Sequence, residues 1–188
     1  MIKLQYVSAL RVSILAATCL AASALVLTSS ANEPEQQDSL VDFPSFEILS
    51  SEAAKHRMTR LVNLDKFWEI SKQPDAIILD TRSKAAYDLG HIKGAIHLNF
   101  SDFTDDKLAK VIKDVDAPIL IYCNNNFSDN IEPVPVKRMP LALNIPTFIN
   151  LYGYGYKNIY ELSDLVSMQE LGADWVSSSP HEQEETRL

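Results

Sequence analysis

Two short apolar runs, residues 76–79 (Ala-Ile-Ile-Leu) and 119–122 (Ile-Leu-Ile-Tyr), constrain the fold most strongly. Each run is too short for an ordinary helix and has no polar residue in alternate positions, which is typical of a strand buried on both faces. Amphipathic segments at 64–71 and 105–113 predict helices between and beside them. This alternation predicts an α/β fold with a mainly parallel central sheet flanked by helices.

The remaining elements are predicted from turn and capping residues. Ser83 is expected to cap a helix through Leu89, and Gly90 is expected to end it in a left-handed conformation. Further strands are predicted at 95–98, 147–151 and 158–162. Further helices are predicted at 51–57, at 135–143 with a disturbance at Pro140, and at 165–176.

Residues 1–31 are typical of a secretory signal peptide. Lys3 and Arg11 precede an apolar stretch, and Ser29-Ser30-Ala31 predicts cleavage before Asn32, with Ala22-Ser23-Ala24 as an alternative site. The stretch is short for an uncleaved anchor. It also continues past Cys19, which disfavours a lipid anchor there. We expect an exported protein, periplasmic or secreted, without membrane attachment after cleavage.

Cleavage would leave about 157 residues, enough for one domain with its own core. We divide them into a polar lead-in with a short helix (32–60), the main domain (61–166), and a C-terminal helix with a disordered tail (167–188). With 15 basic and 25 acidic residues, the net charge would be −10. This charge argues against nucleic acid and anionic membranes as partners.

Cys123 would be the one cysteine left after cleavage. A disulfide framework needs pairs, so the thiol is either buried and inert or reactive. One cysteine and the four histidines show none of the usual zinc-ligand spacings. No metal and no other cofactor is therefore predicted.

Four segments resemble the rhodanese-like domain family: Ile-Ile-Leu-Asp-Thr-Arg at 77–82, Ala-Tyr-Asp-Leu-Gly-His-Ile-Lys-Gly-Ala at 86–95, Ile-Leu-Ile-Tyr-Cys at 119–123, and Gly-Tyr-Lys-Asn-Ile-Tyr-Glu-Leu at 155–162. The resemblance implies a single rhodanese-like domain. It also implies a sulfurtransferase in which Cys123 is the catalytic nucleophile and carries sulfane sulfur as a persulfide. The partners would be a small donor such as thiosulfate and a thiol or cyanide-like acceptor, with a protein partner as a further option.

The location of Cys123 agrees with such chemistry. Ligands collect at the carboxyl ends of parallel strands, and a helix N-terminus after the loop would lower the pKa of a thiol. Arg82 is a further candidate for substrate binding, and the alternative is an ion pair with Asp80 that locks the strand end. The loop residues expected to bind substrate are Asn124, Asn125, Asn126, Phe127 and Ser128.

The loop after Cys123 departs from the family pattern, which is short and holds Gly and Arg. Asn residues tolerate left-handed backbone conformations, so the Asn run could still form an anion cradle. Asp129 adds negative charge, Lys137 and Arg138 are the nearest downstream cations, and extra material is expected at 144–153. The alternative function is therefore a catalytically inactive rhodanese-fold module for binding or redox sensing. A phosphatase or arsenate reductase is excluded because the loop lacks the Arg that binds an oxyanion.

Overall fold

The computed structural model of the protein describes residues 40–178. The predicted signal peptide (1–31), the first part of the lead-in (32–39) and the end of the predicted tail (179–188) lie outside the described residues. Within the described part, the chain from Val41 onward belongs to one compact unit.

Six α-helices and seven β-strands lie within residues 40–178. The helices are α1 (Phe43–Arg57), α2 (Leu64–Ser71), α3 (Lys84–Leu89), α4 (Asp105–Val111), α5 (Asn144–Gly153) and α6 (Met168–Leu171). The strands are β1 (Leu61–Val62), β2 (Ile77–Asp80), β3 (His91–Ile92), β4 (Ile96–His97), β5 (Ile119–Tyr122), β6 (Ile159–Leu162) and β7 (Trp175–Val176). Short 3-10 helices cover Phe100–Asp102, Asn124–Asn126, Met139–Leu141 and Gly172–Asp174.

Five strands form a parallel sheet in the order β1-β6-β5-β2-β4. The two apolar runs recognised in the sequence are its neighbouring central strands, β2 and β5. Strands β3 and β7 pair separately as a small antiparallel ribbon. The predicted α/β fold with a mainly parallel central sheet is confirmed.

The two faces of the sheet bury separate apolar clusters, because successive side chains of a strand point to opposite faces. Along β5, Ile119 and Ile121 face the cluster that includes α4 and α5, whereas Leu120 and Tyr122 face the cluster that includes α2. All four side chains are fully buried. Both faces are covered, which explains the uninterrupted apolar character of the strand.

A buried cluster of polar side chains lies where β2 and β5 end. Asp80 is the register partner of Tyr122, and the Tyr122 hydroxyl donates to Asp80 Oδ2 at 2.6 Å. The Arg82 guanidinium binds the same carboxylate through Nε and Nη2, the shortest contact being 2.7 Å. Burial, and then the charge of Asp80, raise the pKa of Tyr122 well above its ordinary value, so this hydroxyl remains a donor. The predicted alternative role of Arg82, an ion pair that locks the strand end, is present.

Several predicted boundaries are corrected by the structure. The helix predicted at 51–57 is the second half of the longer α1. The strand predicted at 147–151 is wrong, because these residues belong to α5. In α5 the buried positions Asn144, Thr147, Phe148 and Leu151 follow the spacing of one helical face. The strand predicted at 95–98 is reduced to β4, and the strand predicted at 158–162 is β6.

Two predicted helices are mostly absent. Of residues 135–143, only a 3-10 turn at Met139–Leu141 is helical, since Pro140 lacks an N–H group and nearby backbone groups bind asparagine side chains instead. Of residues 165–176, α6 covers one turn. Gly172 then takes a φ of +52°, and the chain continues into β7.

The prediction that Gly90 ends α3 in a left-handed conformation is wrong. Its φ is 174°, which is ordinary extended backbone. Glycine is required there by close packing, because a Cβ atom would lie 2.6 Å from the Trp175 ring. The left-handed glycine of this region is Gly94, with a φ of +84°.

Among residues 40–178, no helix is both long enough and apolar enough to cross a lipid bilayer. Within the same range, no group of three or more His, Cys, Asp or Glu side chains is arranged to hold a metal ion.

We expect Tyr122→Phe to lower the free energy of unfolding by about 1–3 kcal/mol. The substitution removes the donor to Asp80 and leaves the buried Ile92 N–H, 3.1 Å from the hydroxyl, without its acceptor. Urea unfolding measures the change. Tyr154→Phe is the matched control, since that hydroxyl belongs to a partly exposed residue and makes one bond, to Phe103 O. Equal losses for the two variants would contradict the prediction.

Candidate active site

Cys123 directly follows β5 and continues it in extended conformation, with φ −146° and ψ −178°. Because side chains alternate along a strand, Cys123 lies on the same face as Ile119 and Ile121, the face covered by α5. The residue is only 1% exposed. It nevertheless lines a cavity of about 260 Å³. The thiol is thus buried by its neighbours and still faces an open space.

The cavity lies at the carboxyl end of β5, with walls from three parts of the chain. These are the residues after β2, the start of the loop after Cys123, and the segment that leads into α5. The lining residues are Arg82, Ser83, Ala86, Cys123, Asn124, Asn125, Glu132, Pro133, Pro135, Lys137 and Leu143.

Three backbone N–H groups lie near the sulfur of Cys123 and favour its anionic form. They belong to Asn144 and Leu143 at the start of α5 and to Asn125 in the loop. Among the six α-helices within residues 40–178, α5 is the one without a side-chain cap at its N-terminus. In the other five, a side-chain oxygen of the capping residue accepts a backbone N–H bond from the first turn; the capping residues are Asp42, Asn63, Ser83, Thr104 and Ser167. The first N–H groups of a helix have no partner inside the helix, and the dipole there favours negative charge. The arrangement can therefore bind a thiolate or another anionic sulfur.

Burial raises the pKa of the Cys123 thiol above its ordinary value of 9.0. The N–H groups of Asn144, Asn125 and Leu143 act in the opposite direction, and the negative charge of Glu161 raises the pKa further. The burial effect is the larger, so Cys123 is a neutral thiol at pH 7. The three backbone N–H groups reduce the free-energy cost of ionising the thiol, but part of this cost remains.

The sequence of residues 63–164 matches the family described as the rhodanese-like domain, and this match covers more than half of the 188 residues. The chain belongs to the rhodanese-like domain family. The resemblance seen in the sequence motifs is confirmed.

Among curated relatives, the thiosulfate sulfurtransferase GlpE of Coxiella burnetii (strain RSA 331) is 31% identical over 61 residues. The aligned part covers 32% of this chain and 54% of the relative. The same values hold for GlpE of another strain of this bacterium, CbuG_Q212. This rhodanese-like chain therefore spans about half the length of the curated relatives it matches.

Solved structures with a similar fold include the Alr3790 protein of Anabaena sp. and a thiosulfate sulfurtransferase of Pseudomonas aeruginosa. The first is 17% identical with a TM-score of 0.41 and covers 63% of this chain and 96% of the other. The second is 15% identical with a TM-score of 0.46 and covers 72% of this chain and 23% of the other. These likenesses concern the fold alone.

The helix that reaches the thiol of this rhodanese-like domain begins late, because residues 124–143 lie between Cys123 and α5. The residues predicted as extra material, 144–153, form the helix α5 itself. The irregular residues 131–143 before it are called the connecting segment below. The prolines at 133, 135 and 140 prevent a regular helix in this segment.

Asparagine side chains of residues 124–130 bind the connecting segment, and residues 124–126 do not take left-handed backbone conformations. Asn125 makes a pair of hydrogen bonds with the backbone of Lys137, at 2.7 and 3.1 Å. Asn124 Nδ2 donates to Pro135 O at 3.0 Å, and Asn130 Oδ1 accepts from Val136 N at 3.0 Å. Of the asparagines at 124–130, only Asn130 has a positive φ, of 50°. The amides therefore fasten the segment across the cavity, a role that side-chain amides commonly play toward irregular backbone.

The five loop residues predicted to bind substrate separate into two groups. Asn124 and Asn125 line the cavity. Asn126 is buried and structural, since its Oδ1 accepts the Cys123 N–H at 3.0 Å and its Nδ2 donates to Leu162 O. Phe127 is a fully buried core residue, and the Ser128 N–H is bound to Val166 O. These last three side chains do not line the cavity, because the chain turns back toward the sheet immediately after Asn125.

Arg82 lines the cavity, as predicted for a substrate ligand, but its donors are already used. Nη2 donates to Gly90 O at 2.7 Å as well as to Asp80. Nη1 donates to Pro133 O at 3.2 Å and to Asn124 Oδ1 at 3.4 Å. The guanidinium is 3% exposed and paired with a carboxylate. We therefore assign Arg82 to the wall of the site and not to substrate binding.

The charges at the cavity mouth differ from those expected. Lys137 lines the cavity, whereas Arg138 does not. Asp129, predicted to bring negative charge to the site, instead accepts the Met168 N–H at 3.0 Å at the start of α6. Glu132 supplies the negative charge at the mouth. The exposed charges that line the cavity are thus one positive charge, on Lys137, and one negative charge, on Glu132.

Sequence reasoning missed Glu161 and Asn144. Asn144 Nδ2 donates to Asn126 Oδ1 at 3.1 Å and to Glu161 Oε1 at 3.3 Å, and both residues are buried. A charged residue inside the apolar strand at 159–162 was the available signal, because a buried carboxylate needs partners.

We expect Cys123 to react slowly with iodoacetamide at pH 7. Because its pKa is raised, the reactive thiolate is scarce, and the rate should increase up to a midpoint above that of an ordinary thiol. At pH 7 the rate should be lower than that of the same cysteine in the urea-unfolded chain, whose thiol is not buried. Peptide mass spectrometry separates Cys123 from Cys19. A folded-state midpoint below that of the unfolded chain would contradict this expectation.

Proposed function

We propose that this protein is an exported sulfurtransferase that carries sulfane sulfur as a persulfide on Cys123. The donor is a small anionic sulfur compound of the thiosulfate class, and the acceptor is a thiol or cyanide. Export is proposed from the pattern of residues 1–31. Membership in the rhodanese-like domain family and the likeness to thiosulfate sulfurtransferases support this reaction class.

The observation that carries the proposal is the convergence of backbone N–H groups on one buried sulfur that faces a cavity. Leu143 and Asn144 supply them from the N-terminus of α5, and Asn125 supplies one from the loop. Preorganised N–H groups stabilise negative charge that develops during a reaction. Here that charge is on the attacking thiolate and then on the persulfide sulfur, so the same groups would serve both steps.

The proposed reaction has two displacement steps. The Cys123 thiolate attacks the outer sulfur of thiosulfate, a Cys123 S–S bond forms, and the bond to the sulfonate sulfur breaks so that sulfite leaves with the electron pair. The acceptor thiolate or cyanide then attacks the outer persulfide sulfur and removes it, which restores the Cys123 thiolate. The proton of the resting thiol passes to solvent before the first step. Sulfur is transferred without net oxidation, and no metal is required.

Incubation of the full chain with thiosulfate should add the mass of one sulfur atom to the peptide that contains Cys123. The added sulfur should be removed by cyanide, with thiocyanate as the product. Intact-mass and peptide mass spectrometry measure the first step, and a colorimetric thiocyanate assay measures the second. Cys123→Ser is the control. Absence of the added sulfur, or equal thiocyanate production by Cys123→Ser, would contradict the proposal.

Lys137 is proposed to attract the anionic donor to the cavity. It is an exposed cation in the cavity lining, and its backbone is held by Asn125, whose own N–H faces the sulfur. We expect Lys137→Met to slow persulfide formation from thiosulfate by about three- to tenfold at low salt and less at high salt, because such attraction is screened. Arg138→Met, at the neighbouring position outside the lining, is the matched control. Equal effects of the two substitutions would contradict the role of Lys137.

A second candidate is a rhodanese-fold module that binds a partner or senses oxidants without turnover. The raised pKa of Cys123 favours it, as does the engagement of Arg82 by Asp80. This candidate predicts no thiocyanate production even where the thiol can be alkylated. The persulfide experiment therefore separates the two functions directly.

A further inference from the structure

Glu161 is a buried carboxylate on the strand next to the thiol. Strand β6 pairs with β5, and Glu161 is the register partner of Ile121, two residues before Cys123. Since side chains alternate along a strand, Glu161, Ile121 and Cys123 share the face covered by α5. Glu161 is 5% exposed. A negative charge therefore lies under the same helix N-terminus that surrounds the sulfur.

Arg57 neutralises this carboxylate from a part of the chain outside the family match. Its Nη2 donates to Glu161 Oε1 at 2.6 Å, and its Nε donates to Oε2. Arg57 is the last residue of α1, whereas the rhodanese-like match begins at residue 63. The two-point contact has the fork geometry that makes arginine the preferred partner of a buried carboxylate.

Asn144 connects this ion pair to Cys123. Its side-chain Nδ2 donates to Glu161 Oε1 and to Asn126 Oδ1, and the same Asn126 oxygen accepts the Cys123 N–H. Asn144 also directs its backbone N–H at the sulfur. A continuous set of hydrogen bonds thus extends from Arg57 to the backbone of the thiol residue.

We propose that Arg57 is a positioning residue for Cys123: by pairing with Glu161 it sets how readily the thiol loses its proton. An unpaired carboxylate at this depth would oppose formation of a second negative charge on the sulfur, because charge interactions are strong where water is excluded. The guanidinium that is bound to Glu161 places a positive charge beside this carboxylate and so acts against that opposition. Helix α1 would then be part of the functional unit of the site and not only a cover for α5.

The other charged groups that face the site do not replace this pair. After β2, Arg82 and Asp80 neutralise each other. From the connecting segment, Lys137 and Glu132 line the cavity with opposite charges. Leu143, which precedes α5, and Asn144, its first residue, are uncharged. Among these groups, Glu161 is the one whose charge acts against ionisation of Cys123.

The significance of this inference rests on the proposed role of Cys123, but its test measures thiol ionisation and not sulfur transfer. Failure of persulfide formation and failure of the Arg57 role are therefore distinguishable outcomes.

The test compares four forms of the full chain: wild type, Arg57→Met, Glu161→Gln, and the double variant. The rate of alkylation of Cys123 by iodoacetamide is measured from pH 6 to about pH 10 and assigned by peptide mass spectrometry. Urea unfolding of each form measures any loss of stability separately. Glu69→Gln is the matched control, since Glu69 forms an ion pair with Lys66 on α2, outside the cavity lining.

We expect opposite changes for the two single variants. Arg57→Met leaves Glu161 uncompensated, so the midpoint should rise and the rate at pH 7 should fall by about threefold or more. Glu161→Gln removes the negative charge and should raise the rate by a similar factor, and the double variant should be slower than Glu161→Gln. Glu69→Gln should match wild type.

A purely structural ion pair would lower stability in both single variants without moving the midpoint in opposite directions. Changes of the same sign, or no change, would overturn the proposal. If Arg57→Met does not fold, the other three forms still test the proposal. The alkylation rate at pH 7 must be higher in Glu161→Gln than in wild type, and lower in the double variant than in Glu161→Gln.

Discussion

The buried contact between Arg82, Asp80 and Tyr122 is the interaction on which the rest of this structure depends. It joins the ends of the two central strands, and through Gly90 O and Pro133 O it also joins the end of α3 and the segment after Cys123. A buried charge is tolerated only with its partners in place, and removal of one partner of such a pair commonly costs about 3–5 kcal/mol. The position of Arg82, which lines the cavity, is therefore coupled to the stability of the sheet.

The site itself follows from where α5 begins. Residues 124–143 depart from the sheet and return, and the helix then presents its uncapped N-terminus to a sulfur that the strand has already placed on the same face. Asparagine side chains fasten this segment at Pro135, Val136 and Lys137. The consequence is a deeply buried thiol, whose raised pKa reflects burial more than the N–H groups that favour the anion.

Local pattern was sufficient for the central strands, for α2 and α3, and for the presence of Cys123 at a strand end. It was insufficient for short apolar segments, which can form either a strand or a helix, and for proline-containing segments, which can form either a short helix or irregular structure. Residues 147–151 look like a strand in isolation, yet Asn144, Thr147, Phe148 and Leu151 form one helical face. Hydrogen-bond partners distant in sequence could not be read at all. The Arg57–Glu161 contact spans 104 residues, and nothing local to either residue identifies the other.

The sequence by itself determined the family and the α/β class and placed Cys123, the residue of the proposed chemistry, at a strand end, because these depend on apolar periodicity and on motifs that are contiguous along the chain. The tertiary structure decided which groups surround that residue. It removed Asn126, Phe127 and Ser128 from the cavity, engaged Arg82 in an ion pair, and brought Lys137, Leu143 and Glu161 to the thiol. The physical reason is that burial and charge pairing are properties of neighbours in space. A side chain can act on a ligand only where packing leaves its polar atoms free.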